Sequence, residues 1–445
     1  MPVSLLQCEP FRLEQDTMQL LFVLLTLFAV AHGKSYDGYQ VFEITPKSRT
    51  QFQQMMDLDG QFFDDLDFLK TKPVGEPSQV MVPPMHVDKL KEALEELQIE
   101  FGVYIDNLQP LIDKETKAIA SREKATTLAS FDYKVYHSVQ EISDWMTDFS
   151  QTESTSSLTI KEIYIGHSFE GRSIKALKIS TGSGRLGAYT QGGIDAREWI
   201  SPATVIYVVQ KFVAGFKSGY SAATTFFNKF DWYVIPLLNP DGYHYTRPES
   251  SPNDRMWSKN RQLTSSTYCK GINLNRNYGY QWAGSGSSSN PCSEVYFGDY
   301  PYSSYEIKSV KNWLLNLKKS QTFMIHVDVH SYGQYWVYPY SYINSQYAKT
   351  EDHDDLERVA KAATQALTAV FGTKYKTMTS GDLYPAGGVS EDFGYKILKA
   401  KYSYAVKLRD TGHYGYELPE NQIRPCGDET YSGFREMFLE VLKEV

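Results

Sequence analysis

The sequence predicts an α/β fold, a mostly parallel or mixed sheet flanked by helices, preceded by a small ferredoxin-like α+β module. Three observations carry that expectation. From about Phe131 onward, strand-like and helix-like runs alternate to the end of the chain. Residues 34–121 follow the order βαββαβ, that of a split βαβ unit. Hydrophobic residues make up 42% and charged residues 22% of the 445 residues, with 33 Tyr, which excludes a disordered, collagen-like or coiled-coil chain.

In the first module, Tyr39–Ile44 alternates as a strand, and Ser48–Leu58 reads as a helix with Ser48 as its N-cap. Phe68–Lys70 and Gln79–Val82 are short strands. Val87–Gln98 is a helix with Leu90, Ala93, Leu94 and Leu97 on one face, and Ile99–Ile105 is a closing strand. Pro110–Lys124 reads as an exposed connecting helix bearing Lys114, Lys117, Arg122 and Lys124, a natural place for a trypsin-like cut. Beyond it, strands are expected at Thr159–Ile165, Arg172–Ser180, Phe230–Leu238, Thr322–His330 and Tyr402–Arg409. Helices are expected at Ser138–Phe149, Glu198–Phe216, Tyr305–Lys318, Asp354–Phe371 and Thr430–Val445. The Gly-Ser stretch Gly284–Ser289 lacks the Lys-Ser/Thr of a phosphate loop and reads as a plain surface loop.

Three segments follow: 1–33, 34–121 and 122–445. Leu20–Val30 is apolar except for Thr26 and too short for a bilayer, which needs about 20 residues. With Ala31-His32-Gly33 behind it, the run reads as a secretory signal cut after Gly33, so a secreted protein with no membrane span is expected. Arg12 is the single base upstream. Net charge is −8 with a pI near 5.7, which excludes a nucleic-acid partner. That acidity is uneven: residues 34–121 hold nine bases and 16 acids, whereas 122–445 are almost balanced. Loss of Cys8 with the leader leaves Cys269, Cys292 and Cys426, one pair and a spare thiol.

Several segments carry chemistry: Asp195-Ala196-Arg197-Glu198 running into Trp199–Thr204, Asn239-Pro240-Asp241-Gly242-Tyr243, and Gly271–Asn277. Further on come His330-Ser331-Tyr332, Tyr384–Gly388 and Leu408–Gly412. Taken together and in order, they resemble the zinc metallocarboxypeptidases of the pancreatic A/B type, with 34–121 as the propeptide. The resemblance implies a disulfide between Cys269 and Cys292, with Cys426 spare. It also implies zinc held by an H-x-x-E motif and a later His, a Glu general base on the metal-bound water, an oxyanion Arg, and an Asn-Arg pair plus a Tyr on the substrate's terminal carboxylate.

Read onto this chain, the metal positions are Asp195, Glu198 and His330, so the first His is an Asp. Ser258 stands at the oxyanion Arg and Lys407 at the general base. Asn273 replaces an Asp that would orient the first ligand, and its amide is expected to donate to Asp195. Two fillings of the site are weighed: a metal-free cluster bridged by Lys407, or a weaker zinc site on Asp195, Glu198 and His330. The binding half is retained at Arg197, Asn275, Arg276, Tyr332 and Tyr384. Glu391 falls where the B-type enzymes place an Asp that selects basic residues, and reads either as a specificity floor or as an ordinary loop carboxylate. The sequence therefore predicts a secreted homologue, inactive as a peptidase, whose partners are peptide or protein C-termini. The alternatives are an active zinc carboxypeptidase acting on C-terminal residues, basic ones among them, and a scaffold that uses other surfaces.

Overall fold

The computed structural model describes residues 33–61, 66–121 and 127–445. The expected signal run, Cys8, and Arg122 and Lys124 of the connecting segment lie outside the described residues. Among those described, no helix is long and apolar enough to cross a membrane.

The N-terminal module comprises β1 (Gln40–Thr45), α1 (Arg49–Gln61), β2 (Asp67–Lys70), β3 (Ser78–Val82), α2 (Val87–Glu96) and β4 (Glu100–Ile105). Its antiparallel sheet has the order β2-β3-β1-β4, the ferredoxin-like arrangement. Ser48 does cap α1, accepting from the Gln51 amide at 3.1 Å. Leu90 and Leu94, one turn apart on α2, pack on Phe42, Ile44, Val80 and Val82. Helix α3 (Gln109–Ala120) leads out of the module.

The large domain is built on eight strands: β5 (Thr159–His167), β6 (Ser173–Ser180), β7 (Leu186–Gly192), β8 (Phe230–Ile235), β9 (Phe323–His330), β10 (Tyr335–Tyr338), β11 (Lys376–Thr379) and β12 (Tyr402–Lys407). Their order is β11-β10-β12-β9-β7-β8-β6-β5. The central four, β12-β9-β7-β8, run parallel, and antiparallel pairs join β5, β6 and β10 to them. One face packs on α4 (Val139–Thr152), α5 (Ile200–Lys217), α6 (Ser221–Lys229), α8 (His353–Phe371) and α9 (Ile423–Leu442). The other face packs on α7 (Tyr305–Leu317) through Ile307, Val310 and Leu314. Ser138 opens α4 with a capping box to Glu141, and Ser304 caps α7.

Differences from the sequence reading have local causes. β7, LGAYTQG, is rich in Gly and polar residues and carries little strand propensity, while β10 and β11 are four residues each. The strand expected to Leu238 stops at Ile235, before Pro236. Helix α9 starts seven residues earlier than expected, because Pro425 lies in its first turn, where no intrahelical N–H is lost. Gly427 in α9 is required by packing: a Cβ there would sit 2.4 Å from the Tyr207 ring. The Cys269–Cys292 disulfide is present, and Cys426 is free and buried.

Strand β9 sends Ile325, Val327 and Val329 into the helical core and His326, Asp328 and His330 to the opposite side. His326 is wholly buried there, between Ser390 and Ser403, and burial pushes its pKa down to about 4. The unfolded chain takes up a proton near pH 6.5 that the folded one refuses, so stability should fall as pH drops from about 6.5 toward 4. Denaturant unfolding of wild type and His326→Gln across this range should show roughly 3 kcal/mol more acid loss in wild type. Parallel curves for the two proteins would refute the assignment.

Candidate active-site cleft

The carboxyl ends of parallel strands are where an open α/β sheet offers a crevice. Here the chain leaves β7 through Gly192 and Gly193, the latter at φ +61°, and passes Asp195, Arg197 and Glu198 before entering α5. His330 ends β9 and Lys407 ends β12, paired in register on neighbouring strands. Asn275 and Arg276 sit on the turn Leu274–Arg276. Asp195, Arg197, Glu198, Ser258, Asn275, Arg276, Tyr384 and Lys407 line a cleft of about 660 Å³, and His330 is buried against Asp195 and Glu198.

His330 is the centre of the cluster. Its Nδ1 lies 3.0 Å from a Glu198 oxygen and 3.3 Å from an Asp195 oxygen. Its Nε2 lies 3.3 Å from Asp328 and 3.4 Å from the Asn275 amide nitrogen. Burial disfavours the imidazolium, but Asp328, Glu198 and Asp195 outweigh it and hold the pKa well above the ordinary value. Burial pushes Glu198 up. Asp195 is held low despite burial by His330, Lys407 and Arg276.

Two expectations need correction. Lys407 does not bridge the carboxylates: among the described residues it makes no ion pair with Asp195 or Glu198, and the imidazolium of His330 occupies that place. Lys407 acts through its field, its own pKa raised against burial by Tyr384, Glu198, Asp195 and Glu391. Nor does Asn273 donate to Asp195. Its amide goes to the Glu294 carbonyl at 2.9 Å, and the Ser258 hydroxyl, 3.4 Å away, is the donor that faces Asp195. The smaller Ser258 has taken over the task assigned to Asn273.

Asp195, Glu198 and His330 place their ligand atoms within 4.8 Å of one another, and all three types are accepted zinc donors, so donor set and spacing fit a divalent cation. The charge around them opposes it: Lys407 and Arg276, both lining the cleft, act on Asp195. Tyr384 is held below its ordinary pKa, against burial, by Lys407 and Arg276. Glu391 is 4% exposed and is not among the residues lining the cleft. The Gly284–Ser289 segment, expected to be a plain surface loop, forms part of the wall, and the Gly286 carbonyl accepts from Arg276 Nε at 2.8 Å.

The N-terminal module closes the cleft, and most of its contacts were not expected from the sequence. Arg197 grips Asp67 of β2 with both terminal nitrogens, Nη2 at 3.0 Å from Oδ1, and its guanidinium faces the Tyr416 ring at 4.5 Å. Tyr332 donates to Gln79 of β3 at 2.8 Å, and Tyr416 to the Leu69 carbonyl at 3.0 Å. Lys70 donates to the Thr411 carbonyl and lies 5.6 Å from the Tyr332 ring centre. Thus Arg197 and Tyr332, two expected substrate contacts, are engaged by the chain's own front. The sequence signal was faint, because Asp67 follows Asp64 and Asp65 and opens a short strand that ends on Lys70.

The Asp67–Arg197 pair is nearly buried, with side chains 9% and 6% exposed. Asp67→Ala strands the guanidinium and should weaken docking of the module by about 3–5 kcal/mol. Hydrogen exchange across residues 66–71 should accelerate accordingly, and unchanged protection would show that the pair does not hold the module down.

Comparison with known proteins agrees with this geometry. The zinc carboxypeptidase profile matches residues 114–433, and the carboxypeptidase activation peptide profile matches 42–115. Mouse carboxypeptidase A2 is 33% identical over 421 residues, covering 94% of this chain and 97% of its own. Carboxypeptidase A1 of Bos taurus is 36% identical over 423 residues, covering 94% and 97%. The crystal structure of thrombin-activatable fibrinolysis inhibitor superposes with TM-score 0.77 at 31% identity, covering 91% of this chain and 99% of that one. Carboxypeptidase A from Helicoverpa armigera shares the fold, with TM-score 0.82 at 24% identity and coverage of 92% and 99%. The chain belongs to the zinc carboxypeptidase family and carries that family's activation peptide ahead of the large domain.

Proposed function

We propose that this protein is a secreted member of the family that has lost peptidase activity and captures peptide or protein C-termini in the inherited cleft. The observation that carries the reading is the His330 cluster: its Nδ1 lies 3.0 Å from Glu198 and 3.3 Å from Asp195, the carboxylates that would hold a metal, in a cleft that also presents Lys407 and Ser258. Zinc on Asp195, Glu198 and His330 would polarise a carbonyl and acidify a bound water. A cationic Lys407 cannot accept that water's proton, and loss of a general base costs about 10²–10⁴-fold in rate. Ser258 is too short and uncharged to replace a guanidinium, and loss of one oxyanion donor costs about 10²–10³-fold.

Capture needs fewer parts. Arg276 has its plane fixed by Nε to the Gly286 carbonyl and Nη1 to the Asn275 carbonyl, both at 2.8 Å. With Asn275 and Tyr384 on the same cleft, this is a preorganised carboxylate clamp. Secretion is supported by the apolar leader and by a disulfide, a bond that persists in oxidising compartments.

Metal analysis of intact and trypsin-cut protein should find no stoichiometric zinc, and hydrolysis of peptides ending in Arg, Lys, Phe or Leu should stay far below about 10⁴ M⁻¹s⁻¹ in kcat/KM. The combined change Asp195→His, Ser258→Arg, Asn273→Asp and Lys407→Glu should restore both. Zinc and ordinary turnover in the unaltered protein would instead establish the active alternative. In cut protein, Arg276→Ala should lower affinity for free-acid peptides by about 10-fold or more, to the level of their amides. Equal affinity of acid and amide in the unaltered protein would remove the capture role.

A further inference from the structure

We propose that the cleft selects C-terminal residues bearing a second negative charge, aspartate or glutamate, and that Lys407 is the residue reading that charge. This rests on the C-terminal capture reading and names its ligand class. Lys407 and Arg276 are two of the four cations that line the cavity; of the others, Lys70 donates to the Thr411 carbonyl and Arg197 is paired with Asp67. Lys407 stands opposite His330 on the adjacent strand, and Asn275, whose amide is 3.4 Å from His330 Nε2, is followed directly by Arg276. Arg276 is fixed for the α-carboxylate by its two bonds to carbonyls. Lys407, with no carboxylate in ion-pair contact among the described residues, is left to meet a second anion on the same ligand. Tyr384 lines the same cavity, and both cations hold its phenol low against burial.

The carboxylates that act on Lys407 do not cancel this. Asp195 and Glu198 are met by His330 Nδ1, and Asp328 by its Nε2. Glu391, which would favour a basic C-terminus, is 4% exposed and off the cleft lining, so a ligand entering the cavity faces Lys407 before Glu391. A replacement that removes a catalytic base has the further effect of reversing the charge offered to a C-terminal side chain. Because about 660 Å³ remains between Phe52 and Met56 of the N-terminal module and the large domain, a capped dipeptide can be tested on the intact chain.

Calorimetric titration of the intact protein should compare N-acetyl-Gly-Asp, N-acetyl-Gly-Lys, N-acetyl-Gly-Leu and N-acetyl-Gly-Leu amide. The Asp peptide should bind at least 10-fold tighter than the Lys peptide, with the Leu acid between them and the amide weakest, and added salt should narrow the spread. Lys407→Gln should abolish the Asp preference and Lys407→Arg should keep it, with thermal melts confirming that each variant is folded. Equal or reversed affinity for Asp and Lys peptides in the unaltered protein, or a preference that survives in Lys407→Gln, overturns the proposal. If the Leu acid outbinds its amide while the Asp and Lys peptides are alike, capture stands and selectivity falls. If acid and amide are alike, or nothing binds, capture fails and the selectivity fails with it.

Discussion

Four carboxylates and one imidazole set the terms for this molecule. Asp195, Glu198 and Asp328 converge at the carboxyl ends of β7 and β9, with Glu391 buried behind them, and such a group cannot stay ionised inside a protein without cations. His330 supplies the nearest one by keeping its proton. Lys407 and Arg276 supply the rest at longer range. The strands fix where these groups sit, because His330 and Lys407 are register partners. What fills the space between the carboxylates therefore decides whether the old cleft is a metal centre or a charged receptor.

Much of this was legible in the sequence. The ferredoxin-like order could be read from six short runs, and the stripe Leu90, Ala93, Leu94, Leu97 marked α2. The strand FMIHVDVH was legible as well: a central parallel strand buried on both faces is usually apolar throughout, so its alternate His and Asp residues point to chemistry. Motif positions brought together Asp195, Glu198, Ser258 and Lys407, which line one cleft, and His330, which is buried against its carboxylates. Partner choice was not legible. Whether Asn273 or Ser258 faces Asp195, and whether Lys407 or His330 bridges the carboxylates, depends on a few ångströms of loop path. The docking of the N-terminal module depends on Asp67, Gln79 and Lys70, which lie far from their partners along the chain.

Charge distribution ties the two parts together. The N-terminal segment carries nearly all the excess acidity of the chain, and the cleft wall it covers presents Arg197. Other ion pairs join the N-terminal segment to the large domain: Glu115 with Arg255, largely buried, and Glu76 with Lys376, exposed. An exposed pair such as Glu76–Lys376 adds little, so the buried Asp67–Arg197 and Glu115–Arg255 grips and the Tyr332 and Tyr416 hydrogen bonds carry the docking.

Strand β2, which brings Asp67 into the cleft, is also the edge of its own four-stranded sheet. An uncovered edge is a template on which other chains can add strands and aggregate, and natural sheets guard such edges with short strands and inward charges. β2 is four residues long and has a charge at each end, Asp67 and Lys70. The residues that latch the module onto the large domain would, once it is released, keep its free edge from nucleating self-association. One pair of side chains thus serves as a fastening in the intact protein and would serve as solubility insurance if the module were cut free.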